Sequence, residues 1–270
     1  MKLGISSYSF PWSVGVKGYP PEAPMTALDL LAAAQEHGVG LVQIADNLPL
    51  HRLRKDELGR VKDRVFELGI EIELGTRGLD PERLDTYIGL ASYLGASILR
   101  TVTDTADHRP DREEIVESIG AMLPRLKRAG VVLAVENHER LAAAALADIV
   151  QRLASPSVGI CLDTTNSFGA LEGPDVVVDT LAPYVVNLHV KDFTIRRFEY
   201  SMGFIIEGCP AGQGRLHIPR LLETLSRRAR AFNVIVEHWP PPEATVEATV
   251  SKEKAWVGQS VGYLRGLIPD

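Results

Sequence analysis

The sequence predicts a single α/β domain closed as a (β/α)8 barrel, the TIM-barrel architecture, and three observations carry that prediction. Eight short apolar or β-branched runs recur along the 270 residues. Stretches with helical periodicity and charge separate them. The runs are near-continuously apolar rather than alternating, which marks strands buried on both faces of a parallel sheet covered by helices. A chain of this length fits one barrel, a unit of about 250 residues. A doubly wound open sheet is the competing arrangement, but no Gly-x-Gly-x-x-Gly turn follows the first run.

In chain order, the first strand is Leu3-Ile5, and its following segment carries Tyr8, Phe10 and Trp12 before a helix over Ala27-Gln35. Leu41-Ile44 precedes a helix over Lys55-Leu68, and Ile70-Leu74 precedes one over Pro81-Leu94. The runs Ile98-Val102 and Val131-Val135 lead into helices over Asp111-Arg128 and Ala142-Leu153. Gly159-Leu162 is followed by a weaker helical stretch near Pro174-Leu181. Val185-Val190 leads into a long Gly-containing segment around Tyr200-Gly214, read as a lid or substrate-binding loop, and then a helix over Ile218-Arg230. Val234-Val236 and a helix over Thr249-Leu264 complete the pattern. No Ser/Gly-rich linker or low-complexity tract divides the chain, so residues 1–270 read as one domain.

Composition narrows the function. At 45% hydrophobic and 24% charged residues the chain can bury a large core, and it has no apolar tract long enough to span a bilayer. A formal charge of -6 and a pI near 5.7 argue against nucleic acid as a partner, because phosphate backbones are bound by clustered Lys and Arg. The first residues lack the features of a signal peptide, so a cytoplasmic protein is expected. Cys161 and Cys209 are expected to be free thiols.

In a parallel barrel the chemistry stands where strands end. Leu133-Ala134-Val135 runs into Glu136-Asn137-His138, and Gly159-Leu162 into Asp163-Thr164-Thr165-Asn166. Asn187-Leu188 runs into His189-Val190-Lys191-Asp192, and Val234-Val236 into Glu237-His238-Trp239. The first three of these ends are spaced by roughly 30 residues, one βα repeat, so their side chains should converge on one rim. Three carboxylates and an imidazole brought together would repel unless a cation neutralised them, which suggests a divalent metal held by Glu136, Asp163, His189 and Glu237. The oxygen-rich donors suit Mn2+ first, with Mg2+, Co2+ or Zn2+ as alternatives. Beside these, Asn137, His138 and His238 either touch substrate or only orient a neighbour. Lys191 and Asp192 read as a surface ion pair or as a substrate-gripping pair, and Arg100 as a structural anchor or a ligand for substrate oxygen. Tyr8, Phe10 and Trp12 read either as an apolar wall over a sugar face or as ordinary loop packing. His51, His108 and His217 show no supporting pattern.

At these positions the sequence resembles the xylose-isomerase-like TIM-barrel superfamily, in particular the sugar phosphate isomerase/epimerase group with its ketose 3-epimerases, hydroxypyruvate isomerases and inosose dehydratases. Val135-Glu136-Asn137-His138, Leu162-Asp163-Thr164-Thr165-Asn166, His189-Val190-Lys191-Asp192 and Val236-Glu237 resemble the motifs of strands five to eight, and Gly212-Gln213-Gly214 the segment entering the seventh helix. The resemblance implies that Glu136 and Glu237 both ligate the metal and transfer protons. Asn137, His138, Asn166, Lys191, Arg100 and Arg196 are the candidates for holding the substrate. The resemblance also implies a divalent-metal-dependent isomerase or epimerase acting on a sugar or polyhydroxylated carbonyl compound through an enediolate. Asn166 stands where ketose epimerases carry a histidine, and Arg196 and Arg197 are the nearest counterparts of an arginine in the loop after the seventh strand, so strict 3-epimerisation is not the expectation. A dehydratase or other lyase shares the first intermediate. A non-catalytic sugar- or partner-binding barrel would not need both glutamates, and a metal-cluster endonuclease would carry more histidines and a basic face. A small carbohydrate-like molecule is the expected partner, with a homo-oligomer open.

Overall fold

The computed structural model describes residues 1–200 and 202–268. Eight parallel strands close into a barrel. They are β1 (Leu3–Ser6), β2 (Leu41–Ile44), β3 (Glu71–Arg77), β4 (Ile98–Val102), β5 (Val132–Glu136), β6 (Val158–Asp163), β7 (Val185–Val190) and, last in the chain, β10 (Asn233–Val236). The final strand pairs with β1 (Leu3 beside Val234, Ile5 beside Val236), which closes the ring and leaves no open edge. The helices between the strands include α2 (Ala27–Glu36), α3 (Lys55–Leu68), α4 (Pro81–Leu94), α5 (Arg112–Ala129), α6 (Ala143–Leu153), α7 (Pro174–Leu181), α8 (Ile218–Arg228) and α9 (Val246–Arg265). The barrel and the order of its elements are as the sequence predicts. The strand reading stops short at β5 and β6, which continue through Glu136 and Asp163, so both acids stand on the last rung of the barrel.

Local chemistry sets the helix ends. Thr26 and Asp29 form a reciprocal capping box at the start of α2, the Asp29 carboxylate accepting from Thr26 N at 2.8 Å. Asp80 and Asp111 cap α4 and α5, and both helices stop at a left-handed glycine, Gly95 and Gly130. On α8 the buried residues Ile218, Leu221, Leu222 and Leu225 follow helical spacing and pack on the barrel core. No helix among the described residues is long and apolar enough to cross a membrane.

Two features depart from the sequence reading. The segment after β7 is an antiparallel hairpin, β8 (Asp192–Arg197) with β9 (Phe204–Cys209), where a loop was expected; it forms a separate two-stranded sheet at the barrel rim. Ser201, within the predicted loop, lies outside the described residues. After β1, a four-residue helix α1 (Pro11–Val14) is held from across the barrel end by Glu253 of α9. That carboxyl accepts from Trp12 N at 2.7 Å, Ser13 N at 2.9 Å and Ser13 Oγ at 2.7 Å.

Burial pushes Glu253 up from 4.5 to about 7, against the hydrogen bonds it accepts. A carboxyl raised on folding stabilises the fold fully below its unfolded value and loses that contribution as pH rises through its folded value. Thermal unfolding should therefore show a component falling between pH 4.5 and about 7, worth up to about 3 kcal/mol. Glu253→Gln should flatten that component; an unchanged pH slope would contradict it.

Candidate active site

The C-terminal ends of the strands open into a cavity of about 810 Å³, whose lining includes Tyr8, Trp12, Asn166, Phe168, Lys191 and Trp239. Beneath it, Glu136, Asp163, His189 and Glu237 converge from β5, β6, β7 and β10, each at most 2% exposed. Their convergence follows from parallel strands in register: Glu136 lies one residue beyond Val135, which pairs with Ile160, and Asp163 is paired directly with His189.

The carboxylates are not alone. Lys191 Nζ lies 2.8 Å from Asp163 Oδ2 and 3.0 Å from Glu237 Oε2. Arg100 Nε donates to Glu136 Oε2, and its Nη1 reaches Asp46 Oδ1 at 2.7 Å. The other oxygen of Glu136 accepts from Asn166 Nδ2 at 2.7 Å. Ser6 Oγ donates to Glu237 Oε1 at 2.8 Å, and the second oxygen of Asp163 accepts from Thr165 N and Asn166 N, both at 2.8 Å. His189 Nδ1 sits 3.3 Å from Glu237 Oε1 and 3.6 Å from Glu136 Oε2.

These contacts fix the charge states. Burial alone would raise Glu237, but His189 and Lys191 outweigh it and hold the carboxyl well below its usual range. Burial would lower Lys191 and Arg100, and the surrounding carboxylates hold both above their usual values, so both are cations. For His189, burial is likewise outweighed, by Glu237 and Glu136, and the imidazole is raised. Burial drives His238 down to about 4, which leaves it a neutral ring bonded to Ser260 Oγ at 2.9 Å.

The structure sorts the residues singled out in the sequence. Asn166 and Lys191 line the cavity. Arg100 is buried at 3% exposure and committed to Glu136 and Asp46. Asn137 is spent on the β5–β6 junction, donating to Asp163 O at 2.8 Å and Ser167 Oγ at 2.9 Å and accepting from Asp163 N at 2.7 Å, so no polar atom of its side chain is left for a substrate. His138 is half-buried beyond Glu136 and outside the cavity lining. Arg196 lies on β8, exposed and paired at 2.8 Å with Glu207, which lines the cavity. Tyr8 and Trp12 line the cavity as expected, but Phe10 is 1% exposed and belongs to the core. Lys191 and Asp192 are no pair: Lys191 turns inward, while Asp192 gathers the loop after the hairpin. Ser6 and Asp46 were missed, although each follows an apolar run, as do the acids that were found.

Asp192 accepts from Phe193 N, Gly212 N, Gly214 N and Leu216 N at 2.8–3.0 Å. A Cβ at Gly214 would stand 2.1 Å from Asp192 Oδ1 and 2.4 Å from Phe193 O. Gly214→Ala should therefore open this clasp and lower stability by a few kcal/mol, on the order of 2–4, read as a drop in thermal midpoint with faster proteolysis near the loop; unchanged unfolding would refute the clasp.

The donors fit a divalent cation. Among the described residues, buried His189 Nε2 has no hydrogen-bond partner, its Nδ1 faces the Glu237 carboxylate at 3.3 Å, and Asp163 Oδ2 and Glu237 Oε2 are met by Lys191. Donor atoms of Asp163, His189 and Glu237 lie within 4.8 Å of one another, as do those of Glu136, Cys161 and His189. A three-residue set thus stands ready, with Glu136 drawn aside by Arg100. Charge balance alone does not require a metal, contrary to the expectation from sequence, since Lys191 and Arg100 supply two cations to the carboxylates. The unpartnered Nε2 of His189 carries the case for a metal instead.

Comparison with known proteins agrees with the geometry. The profile of the xylose isomerase-like TIM barrel family matches residues 15–265. A 3-oxo-isoapionate decarboxylase of Pectobacterium atrosepticum is 36% identical over 264 residues, covering 98% of this chain and 95% of that protein. Among solved structures, a D-psicose 3-epimerase with D-fructose superposes with a TM-score of 0.76 at 14% identity, covering 100% of both chains. A xylose isomerase-like TIM barrel protein from Mycobacterium smegmatis in complex with magnesium gives 0.71 at 13%, covering 97% of both. At these identities the two structures share the fold alone.

Proposed function

This chain belongs to the xylose isomerase-like TIM barrel family, and on that premise we propose that it is a metal-dependent lyase that decarboxylates a polyhydroxylated 3-oxo acid through an enediolate. Decarboxylation of a 3-oxo acid and enolisation of a ketose reach the same kind of intermediate but ask different things of the protein. Enolisation needs a free base to remove a proton from carbon. Decarboxylation needs a positive environment for the charge left behind and one proton donor.

The observation that carries the reading is the division of labour around Glu136 and Lys191. Both oxygens of Glu136 are taken, by Arg100 and Asn166, while the protonated Lys191 faces the cavity. In the proposed step the C1–C2 bond breaks and its electron pair becomes the C2–C3 π bond as the ketone oxygen becomes an enolate oxygen. Carbon dioxide leaves, and C2 takes a proton. Lys191 Nζ holds that proton, and Glu237, 3.0 Å away, keeps the ammonium in place. Arg100 holds Glu136 off the reacting carbon and adds positive potential. Asp163, His189 and Glu237 are the residues that would hold a divalent ion, Mn2+ or Mg2+ by donor type, which when bound would polarise the ketone and stabilise enolate charge. Trp12 and Trp239 wall the cavity.

The relative with 36% identity supports the decarboxylase reading. Isomerisation or epimerisation remains a second reading, favoured by Glu136 and Glu237 flanking one His189 nitrogen at 3.6 and 3.3 Å. One panel separates them: metal-loaded protein with 3-oxo-isoapionate, ketoses and inososes, with products followed by NMR. Carbon dioxide from the 3-oxo acid is the expected result. Conversion of ketoses without carbon dioxide release would replace the proposal with the second reading.

A further inference from the structure

Beside the mouth, at the C-terminal ends of β2 and β3, lies a separate cavity of about 350 Å³ whose lining includes Asp46, His51, Arg52, Arg77, Arg83 and Tyr87. Its charge is unbalanced. Three guanidinium groups face it against one carboxylate, and that carboxylate is already shared, Asp46 reaching Arg77 Nε at 3.0 Å and Arg100 Nη1 at 2.7 Å. Neither Arg52 nor Arg83 has a carboxylate partner among the described residues. Arg83 Nη1 instead lies against the His51 ring, 2.5 Å from Nε2, while the Nδ1 of that ring is 2.9 Å from the Tyr87 hydroxyl. A guanidinium turned onto an imidazole rather than an acid, in a cavity with further cations, is an arrangement an anion would complete, because the planar N–H fork matches phosphate and carboxylate oxygens.

We propose that this cavity is an oxyanion-binding site, taking a phosphate or carboxylate group between Arg52 and Arg83, with Arg77 and His51 as further partners. Two sources have that chemistry: a free anion from solution, or an anionic group on the far end of the substrate. The second is within the architecture, since Asp46 joins Arg77 of this cavity to Arg100 of the carboxylate cluster. The proposal does not depend on the reaction at the main site. Burial, then Arg83 and Arg52, hold His51 below the usual imidazole value.

The test is NMR of the ring-labelled full chain, the His51 resonance being assigned with His51→Gln, titrated with inorganic phosphate and with formate against chloride at matched ionic strength. An anion seated beside the ring should raise the His51 titration midpoint by about one pH unit. The double variant Arg52→Gln/Arg83→Gln should abolish the response; Arg52→Gln alone, at an exposed position, should weaken it and serves if the double variant unfolds. Absence of any shift, or an equal shift in the variants, overturns the proposal. Competition assays then identify the source: phosphate that raises KM alone marks a subsite for the substrate, and phosphate that changes kcat marks a separate effector.

Discussion

Lys191→Met is expected to unfold well below the parent protein when divalent ions are chelated, and to recover most of the loss when Mn2+ is supplied. The ammonium is the cation within 3.0 Å of both Asp163 and Glu237, and both carboxylates are fully buried at the side chain. Removing one partner from a buried ion pair leaves uncompensated charge and costs about 3–5 kcal/mol. A divalent ion bound by Asp163, His189 and Glu237 would restore that compensation and add its own linkage free energy. Activity should fall on the order of 100-fold or more even with metal present, because the proton donor is gone. Thermal melts with EDTA and with Mn2+ check the first part. An equal loss of stability under both conditions would mean that Lys191 and the ion do not serve the same carboxylates.

Glu237→Gln keeps the shape of the side chain and the hydrogen bond from Ser6 Oγ, and removes the charge that positions Lys191 and faces His189. The expected result is a folded protein whose kcat/KM falls by about 1,000-fold, equivalent to roughly 4 kcal/mol of transition-state stabilisation. Binding of Mn2+, followed by electron paramagnetic resonance, should weaken in parallel. Full activity in a protein that still binds the ion would remove Glu237 from the account.

The four residues at the ends of β5, β6, β7 and β10 were legible because a parallel barrel sends every strand end to one rim, so a charge after an apolar run points to the site whatever the intervening helix contains. The same rule reaches Ser6 and Asp46, but a hydroxyl at the end of β1 and an acid two residues past β2 carry weaker signals than a Glu or His on the strand. Lys191 was legible as a rim residue and not as the counter-ion of two acids, because a long flexible side chain one residue past a strand can turn inward or outward. Arg100 shows the same limit: its position on β4 is plain from sequence, but its two acid partners, Asp46 and Glu136, are brought to it only by the closed ring. The hairpin of β8 and β9 escaped because its strands mix Arg197, Glu207 and exposed Phe204 and Ile206, with only the barrel-proximal ends, such as Phe193 and Cys209, buried, so no alternating apolar pattern marks it.

The most direct test of the central claim is decarboxylation of 3-oxo-isoapionate carrying 13C in its carboxyl group, run with Mn2+-loaded protein in deuterated water and followed by NMR. The account predicts labelled carbon dioxide in step with substrate loss, one deuterium at the carbon that lost the carboxyl, and neither signal with Glu237→Gln. Deuterium exchange or ketose interconversion with the labelled carboxyl retained would contradict it.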